Sequence, residues 1–164
     1  MATYISRSPD ETAALGEQWG REAQSGLVIG LSGELGAGKT QLVKGLARGL
    51  NITERVHSPT FALINIYEGG RLPLFHLDLY RLDMPEQIVA AGLEQYLHPK
   101  GVTVIEWVER WFSVTPLHAP VLRSAPAEER IRNTQYAIRL PMTWVTFEEL
   151  SKMERRITYE NIGA

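Results

Sequence analysis

Cysteine is absent from the 164 residues. Its absence excludes disulfides, thiol catalysis and cysteine-ligated zinc, and it suits a reducing, cytoplasmic setting. No apolar run approaches the length needed to span a bilayer, and the first residues lack the basic-then-apolar pattern of a secretory signal. An excess of either charge is missing too: 17 Lys and Arg stand against 19 Asp and Glu, a net charge of −2. A protein that holds RNA or DNA by itself usually presents a basic face. Here the arginines are dispersed, apart from a modest group at Arg123, Arg130, Arg132 and Arg139. Independent nucleic-acid binding therefore has little support. His57, His76, His98 and His118 lack metal-ligand spacing, which leaves them core or surface roles. With 44% hydrophobic and 22% charged residues, no repeat and no linker, the chain reads as one globular domain over residues 1–164. Its core is expected over about residues 3–141, with a tail over 142–164.

What is present begins with Gly33-Glu34-Leu35-Gly36-Ala37-Gly38-Lys39-Thr40, which fits the phosphate-binding pattern G-x-x-x-x-G-K-[ST]. The glycines let the backbone wrap closely around phosphate oxygens and turn several N–H donors inward. Lys39 supplies a compact positive charge for the β and γ phosphates, and the Thr40 hydroxyl suits Mg²⁺. The helix that follows adds its free N–H groups and the positive end of its dipole. Leu27 to Ser32 reads as a buried strand and Gln41 to Leu50 as a helix with Leu42, Val43, Leu46, Ala47 and Leu50 on one face. Strand, glycine loop and helix form the context the motif requires.

Around this unit the pattern alternates. A helix is expected from Asp10 or Thr12 to about Gln24, a strand over Phe61 to Tyr67, a turn at Glu68 to Arg71 and a return strand over Leu72 to Leu77. Pro85 can occupy the first turn of a helix over Glu86 to Leu97. Val102 to Glu106 is a second buried strand, followed by a short helix over Trp107 to Phe112. Residues 114–130 hold three prolines and read as an irregular excursion. Tyr136 to Leu140 is an expected strand, and Thr146-Phe147-Glu148-Glu149 opens an expected final helix. The fold class is α/β: a three-layer sandwich of the P-loop NTPase kind, with a mostly parallel central sheet, an antiparallel hairpin and helices on both faces.

P-loop proteins usually hold Mg²⁺ with the loop hydroxyl and an acid that ends a hydrophobic strand. Two acids qualify, Asp78 after Leu74 to Leu77 and Glu106 after Val102 to Ile105. Either also reads as a helix cap or a surface carboxylate. Ligands collect at the carboxyl ends of parallel strands, so an acid there beside the loop would face the phosphates. Thr60 follows a stiffening Pro59 and can sense a γ-phosphate through its hydroxyl or backbone. A plain loop entering a strand reads the same way.

With Val56-His57-Ser58-Pro59-Thr60-Phe61, His76-Leu77-Asp78-Leu79-Tyr80-Arg81-Leu82 and Ile105-Glu106-Trp107 added to the glycine loop, the chain resembles the TsaE (YjeE) family. These are small P-loop ATPases of bacterial tRNA threonylcarbamoyladenosine biosynthesis. The resemblance covers about residues 3 to 141. It implies an ATPase that is weak alone and acts with the TsaB–TsaD heterodimer, resetting the complex rather than transferring the group. The tRNA would then be met only through that complex, with no membrane contact and no stable oligomer. It also implies ATP and Mg²⁺ as cofactors, Lys39 on the phosphates, Thr40 and Glu106 on the metal, Asp78 organising metal or attacking water, and Thr60 as switch. Tyr80, Arg81 and Trp107 would support the site or the partner face. Arg132 and the segment around Thr12 would approach the ribose or base.

Three other readings stand beside this one. A small-molecule or nucleoside kinase would need an arginine-bearing lid, for which residues 114–130 with Arg123 and Arg130 are the candidate. A GTP-driven switch would need an N/T-K-x-D block after the loop, and none occurs, which favours adenine. A nucleotide-dependent docking module would show the same motifs with incidental hydrolysis.

Overall fold

The structure is a computed structural model and describes residues 1–112 and 141–162. In chain order the elements are β1 (Ala2–Ser6), α1 (Pro9–Glu22), β2 (Leu27–Ser32), α2 (Lys39–Gly49), β3 (Ile64–Tyr67), β4 (Leu74–Asp78), α3 (Pro85–Ala90), β5 (Val102–Glu106), β6 (Met142–Glu149) and β7 (Arg155–Ile162). Short 3₁₀ turns occupy Leu93–Leu97 and Val108–Arg110. Among the described residues seven strands make one sheet in the order β1-β7-β6-β2-β5-β4-β3. Its centre, β6-β2-β5-β4, is parallel, while β3 pairs with β4, and β7 with both β6 and β1, in antiparallel fashion. This is the expected α/β class.

Period-two alternation sends side chains to two cores. Ile29, Leu31, Val102, Val104, Val145 and Phe147 pack with Leu42, Val43 and Leu46 beneath α1 and α2. Val28, Leu77, Ile105 and Trp144 pack on the other face with Ile88, Leu93, Val108 and Trp111. Ser8 caps α1, its hydroxyl accepting from the Glu11 N–H at 3.1 Å, and Pro9 occupies the first turn. α1 and α2 touch backbone to backbone. A Cβ at Gly16 or Gly20 would lie 2.1 or 2.3 Å from the carbonyl oxygens of Leu42 or Leu46. A Cβ at Gly45 or Gly49 would lie 1.8 or 2.1 Å from those of Ala13 or Glu17. Side-chain size at the contact sets the distance between helices, and here the spacing i, i+4 on both partners removes the side chains altogether.

Four expectations are corrected. The helix expected at Thr146 is instead the second half of β6, and residues 142–162 are two strands of the sheet rather than a tail. Val145 and Phe147 face one core while Met142 and Trp144 face the other, so strand pairing on both edges outweighs the cap-like Thr-Phe-Glu-Glu string. The strand expected from Phe61 begins at Ile64, because the Leu63 N–H donates to the Pro59 carbonyl at 2.7 Å and Leu63 has φ of 67°. The helix expected over Glu86–Leu97 stops at Ala90, where Gly92 turns left-handed at φ of 72°. The irregular stretch 114–130, the strand over Tyr136–Leu140, His118 and the arginines at 123, 130, 132 and 139 lie outside the described residues. Among the described residues no helix is long and apolar enough to cross a membrane.

Candidate functional site

β2 delivers the chain into the glycine loop at the carboxyl edge of the parallel strands. Gly36 and Gly38 take φ of 80° and 103°, a backbone that side-chain-bearing residues rarely adopt. Gly38 is also the N-cap of α2 and leaves that helix without a side-chain cap, so its first N–H groups are available to an anion. Strand register then brings the acids alongside. Leu31 of β2 pairs with Glu106 of β5, and Glu106 pairs with Asp78 of β4. Both carboxylates therefore end their strands beside the loop, on the sheet face that α2 covers.

Each functional side chain is tightly held. The Lys39 ammonium donates to the carbonyls of Gly33 at 2.5 Å and Glu34 at 2.9 Å, and lies 4.0 Å from the centre of the Trp107 ring. Burial pushes the Lys39 ammonium below the usual lysine value, and the negative charges of Glu106, Glu109, Asp78 and Glu34 counter part of that shift. The Thr40 hydroxyl donates to Glu106 Oε1 at 2.9 Å and lies 3.2 Å from Oε2. Asp78 Oδ2 accepts from Ser58 Oγ at 2.5 Å and Thr60 Oγ1 at 2.9 Å, while its Oδ1 accepts from the Tyr80 N–H at 2.9 Å. Asp78 thus ties the Ser58–Thr60 segment to the end of β4. Trp107 follows β5 with φ of 60°, a backbone that costs energy unless its surroundings enforce it. Here the ring is held between Lys39 and Tyr80, whose ring centre is 5.0 Å away.

These groups line a cavity of about 470 Å³. Leu35 to Thr40, Thr12, Thr60, Asp78, Tyr80, Glu106 and Trp107 line it, whereas Gly33 and Glu34 do not. The Thr12 hydroxyl is buried and spent on Ser6, 2.7 Å away, so its polar group is not turned to the cavity. Arg81 is not in the lining; its guanidinium sits 4.0 Å over the exposed Phe61 ring. Arg132 lies outside the described residues. Sequence reasoning missed Lys152 and Met153, which reach the cavity from the β6–β7 turn, and Arg155, which reaches it from the first position of β7. Recognising the β6–β7 hairpin would have been the only route to them. His76, given a core or surface role, is fully buried; what the sequence did not reveal is that its Nε2 lies 2.8 Å from Glu106 Oε1. Among the described residues no cluster of three or more His, Asp or Glu could cage a metal. One carboxylate beside one hydroxyl is instead the partial, all-oxygen set that suits a hard cation completed by phosphate and water.

A parallel strand, a glycine loop at a bare helix N-terminus and strand-end acids beside it define a domain of the P-loop class. The family model described as "Threonylcarbamoyl adenosine biosynthesis protein TsaE" matches residues 6–134. Similar proteins include the tRNA threonylcarbamoyladenosine biosynthesis protein TsaE of Nostoc sp. strain PCC 7120, 50% identical over 67% of this chain and 70% of that one. The protein of the same description in Bacillus subtilis strain 168 is 38% identical over 88% of this chain and 90% of its own. The crystal structure of Bacillus subtilis YdiB superposes with a TM-score of 0.71 at 29% identity, covering 99% of this chain and 86% of that one. The chain belongs to the TsaE family of threonylcarbamoyl adenosine biosynthesis proteins.

Proposed function

We propose that this chain is a cytoplasmic, Mg²⁺-dependent ATPase that serves tRNA threonylcarbamoyladenosine biosynthesis together with the TsaB–TsaD heterodimer. The observation that supports it best is the Thr40–Glu106 pair, 2.9 Å apart, directly beside the buried Lys39 ammonium. Family membership supplies the pathway. Mg²⁺, held by Thr40 and Glu106, would supply charge neutralisation on the phosphate oxygens when bound.

The chain's own residues do the rest. The loop N–H groups and Lys39 bind and orient the β and γ phosphates. In hydrolysis a water oxygen bonds to the γ-phosphorus, the bond from that phosphorus to the bridging oxygen breaks, and ADP and phosphate leave. Thr60 stands where it can orient that water or sense the γ-phosphate, and Asp78 keeps its hydroxyl in place. Both Asp78 oxygens already accept hydrogen bonds, which favours an anchoring role over that of a free base. The arrangement is open on one side, where water weakens electrostatic stabilisation. Exposed Leu35 and Met153 line that mouth, and a partner seated on them would exclude water and raise turnover.

The test is ATP hydrolysis by the purified chain, alone and with its cognate TsaB–TsaD, beside a Lys39→Ala control. Stimulation by the heterodimer that Lys39→Ala abolishes is the expected result. Equal rates with and without the heterodimer would refute partner activation. Phosphate appearing on a small acceptor would replace this reading with that of a kinase.

A further inference from the structure

Glu106 is not held by Thr40 alone. His76 lies one strand away on β4, in register with Val104, two residues before Glu106. Period-two alternation puts His76, Asp78, Val104 and Glu106 on one face, which makes His76 the diagonal cross-strand neighbour of Glu106. Its Nε2 reaches Glu106 Oε1 at 2.8 Å with both side chains almost wholly out of water. A carboxylate accepts, so Nε2 carries the hydrogen, and in the neutral ring Nδ1 is then left as an acceptor. Among the described residues that Nδ1 has no hydrogen-bond partner.

An unpartnered buried nitrogen is unfavourable, and an apolar side chain of similar size would fill this place without it. What histidine adds there is the Nε2–H bond to Glu106. The bond engages Oε1 and restrains the carboxylate about its own side-chain torsions; among the described residues Oε2 meets the Thr40 hydroxyl alone, which also lies 2.9 Å from Oε1. A hydrogen-bond partner behind a metal-binding carboxylate sets its orientation, and losing such a partner typically costs about 10- to 100-fold in metal affinity.

We infer that His76 is a positioning residue: through its Nε2–H bond to Glu106 it aims that carboxylate, with Thr40, at the divalent cation that accompanies a nucleoside triphosphate. The inference rests on the proposed metal role of Thr40 and Glu106. It assigns His76 no contact with nucleotide, metal or water.

The experiment follows binding rather than turnover. Affinity for a fluorescent ATP analogue is measured across a Mg²⁺ titration and in EDTA, for the wild type, His76→Leu and His76→Gln. The Gln side chain keeps an N–H near the place of Nε2. The expected result is a Mg²⁺ requirement raised about tenfold or more in His76→Leu, unchanged affinity in EDTA, and a His76→Gln requirement close to wild type. A His76→Leu protein with wild-type Mg²⁺ dependence overturns the inference while leaving the metal reading intact. Equal loss of affinity in Mg²⁺ and in EDTA, unrescued by Gln, overturns it in favour of a purely structural histidine. A wild type indifferent to Mg²⁺ removes the metal reading and this inference with it. Should His76→Leu fail to fold, nitrogen NMR of the wild-type imidazole decides: an Nε2–H tautomer supports the assignment, and an Nδ1–H tautomer overturns it.

Discussion

Thr40 and Glu106 stand 66 positions apart in the chain, yet the hydroxyl of one donates to the carboxylate of the other at 2.9 Å. The contact exists because β5 lies parallel to β2 with Glu106 opposite Leu31, one residue before the strand gives way to the glycine loop. Strand register, more than loop chemistry, puts a hydroxyl and a carboxylate side by side at the glycine-loop end of the cavity.

Glu106→Gln removes the negative charge and keeps the shape. Turnover is expected to fall about 100-fold or more, while nucleotide affinity in EDTA stays within about threefold of wild type. Lys39→Ala differs by weakening nucleotide affinity both with and without Mg²⁺. Steady-state kinetics beside equilibrium binding separates the two, and unchanged turnover in both variants would refute the site assignment.

The lowered Lys39 value has a signed consequence. A triphosphate beside the ammonium favours its charged form, so binding raises the value again. At pH between the free and bound values, binding therefore takes up a proton, and affinity falls by up to about tenfold per pH unit. Below the free value Lys39 is charged in both states and adds no pH dependence. Calorimetry in buffers of different ionisation enthalpy reads this uptake directly, and proton release in that window would contradict it. Folding has the opposite sign: the cost of burying the ammonium lessens as pH rises through the lowered value.

Asp78→Ala unties Ser58, Thr60 and the Tyr80 N–H together. Hydrogen bonds to a charged group are worth about 1.5–3 kcal/mol each, but the two hydroxyls can still bond one another. A net loss of about 2–3 kcal/mol is expected. Urea denaturation measures it, and an unchanged midpoint would show that the segment is anchored by other contacts.

Gly45→Ala drives a methyl into the Ala13 carbonyl, whereas Gly69→Ala meets only Glu54 Oε1 at 3.7 Å. The first is expected to destabilise by about 1–3 kcal/mol or more and the second to stay within about 0.5 kcal/mol. Thermal unfolding of the pair tests whether the backbone contact between α1 and α2 matters, and equal melting temperatures would argue against it.

The glycine loop, its strand and its helix were legible because local spacing encodes them: Gly36, Gly38 and Lys39 have fixed offsets from the end of an apolar run. Asp78 and Glu106 were legible for the related reason that each closes such a run. β6 was not, because Thr146 and Glu149 imitate a helix start, and only pairing with β2 and β7 on either side decides between the two. Lys152 and Arg155 were hidden with it. The bond from His76 was invisible for another reason. It reaches Glu106 across two strands 30 positions apart, and no spacing rule within one element anticipates a bond made by register.

β6 is the neighbour of β2 on the side away from β5, and β7 then joins β6 to β1. During synthesis the strand that leads into the glycine loop emerges early but keeps an unpaired edge until Met142–Glu149 has left the ribosome. Lys152, Met153 and Arg155 reach the cavity later still. A nascent chain halted before residue 142 would therefore display the loop with one wall of its cavity absent and a bare strand edge exposed. The walls of the cavity are therefore complete only once residue 155 has joined the sheet, well after the glycine motif itself has been made.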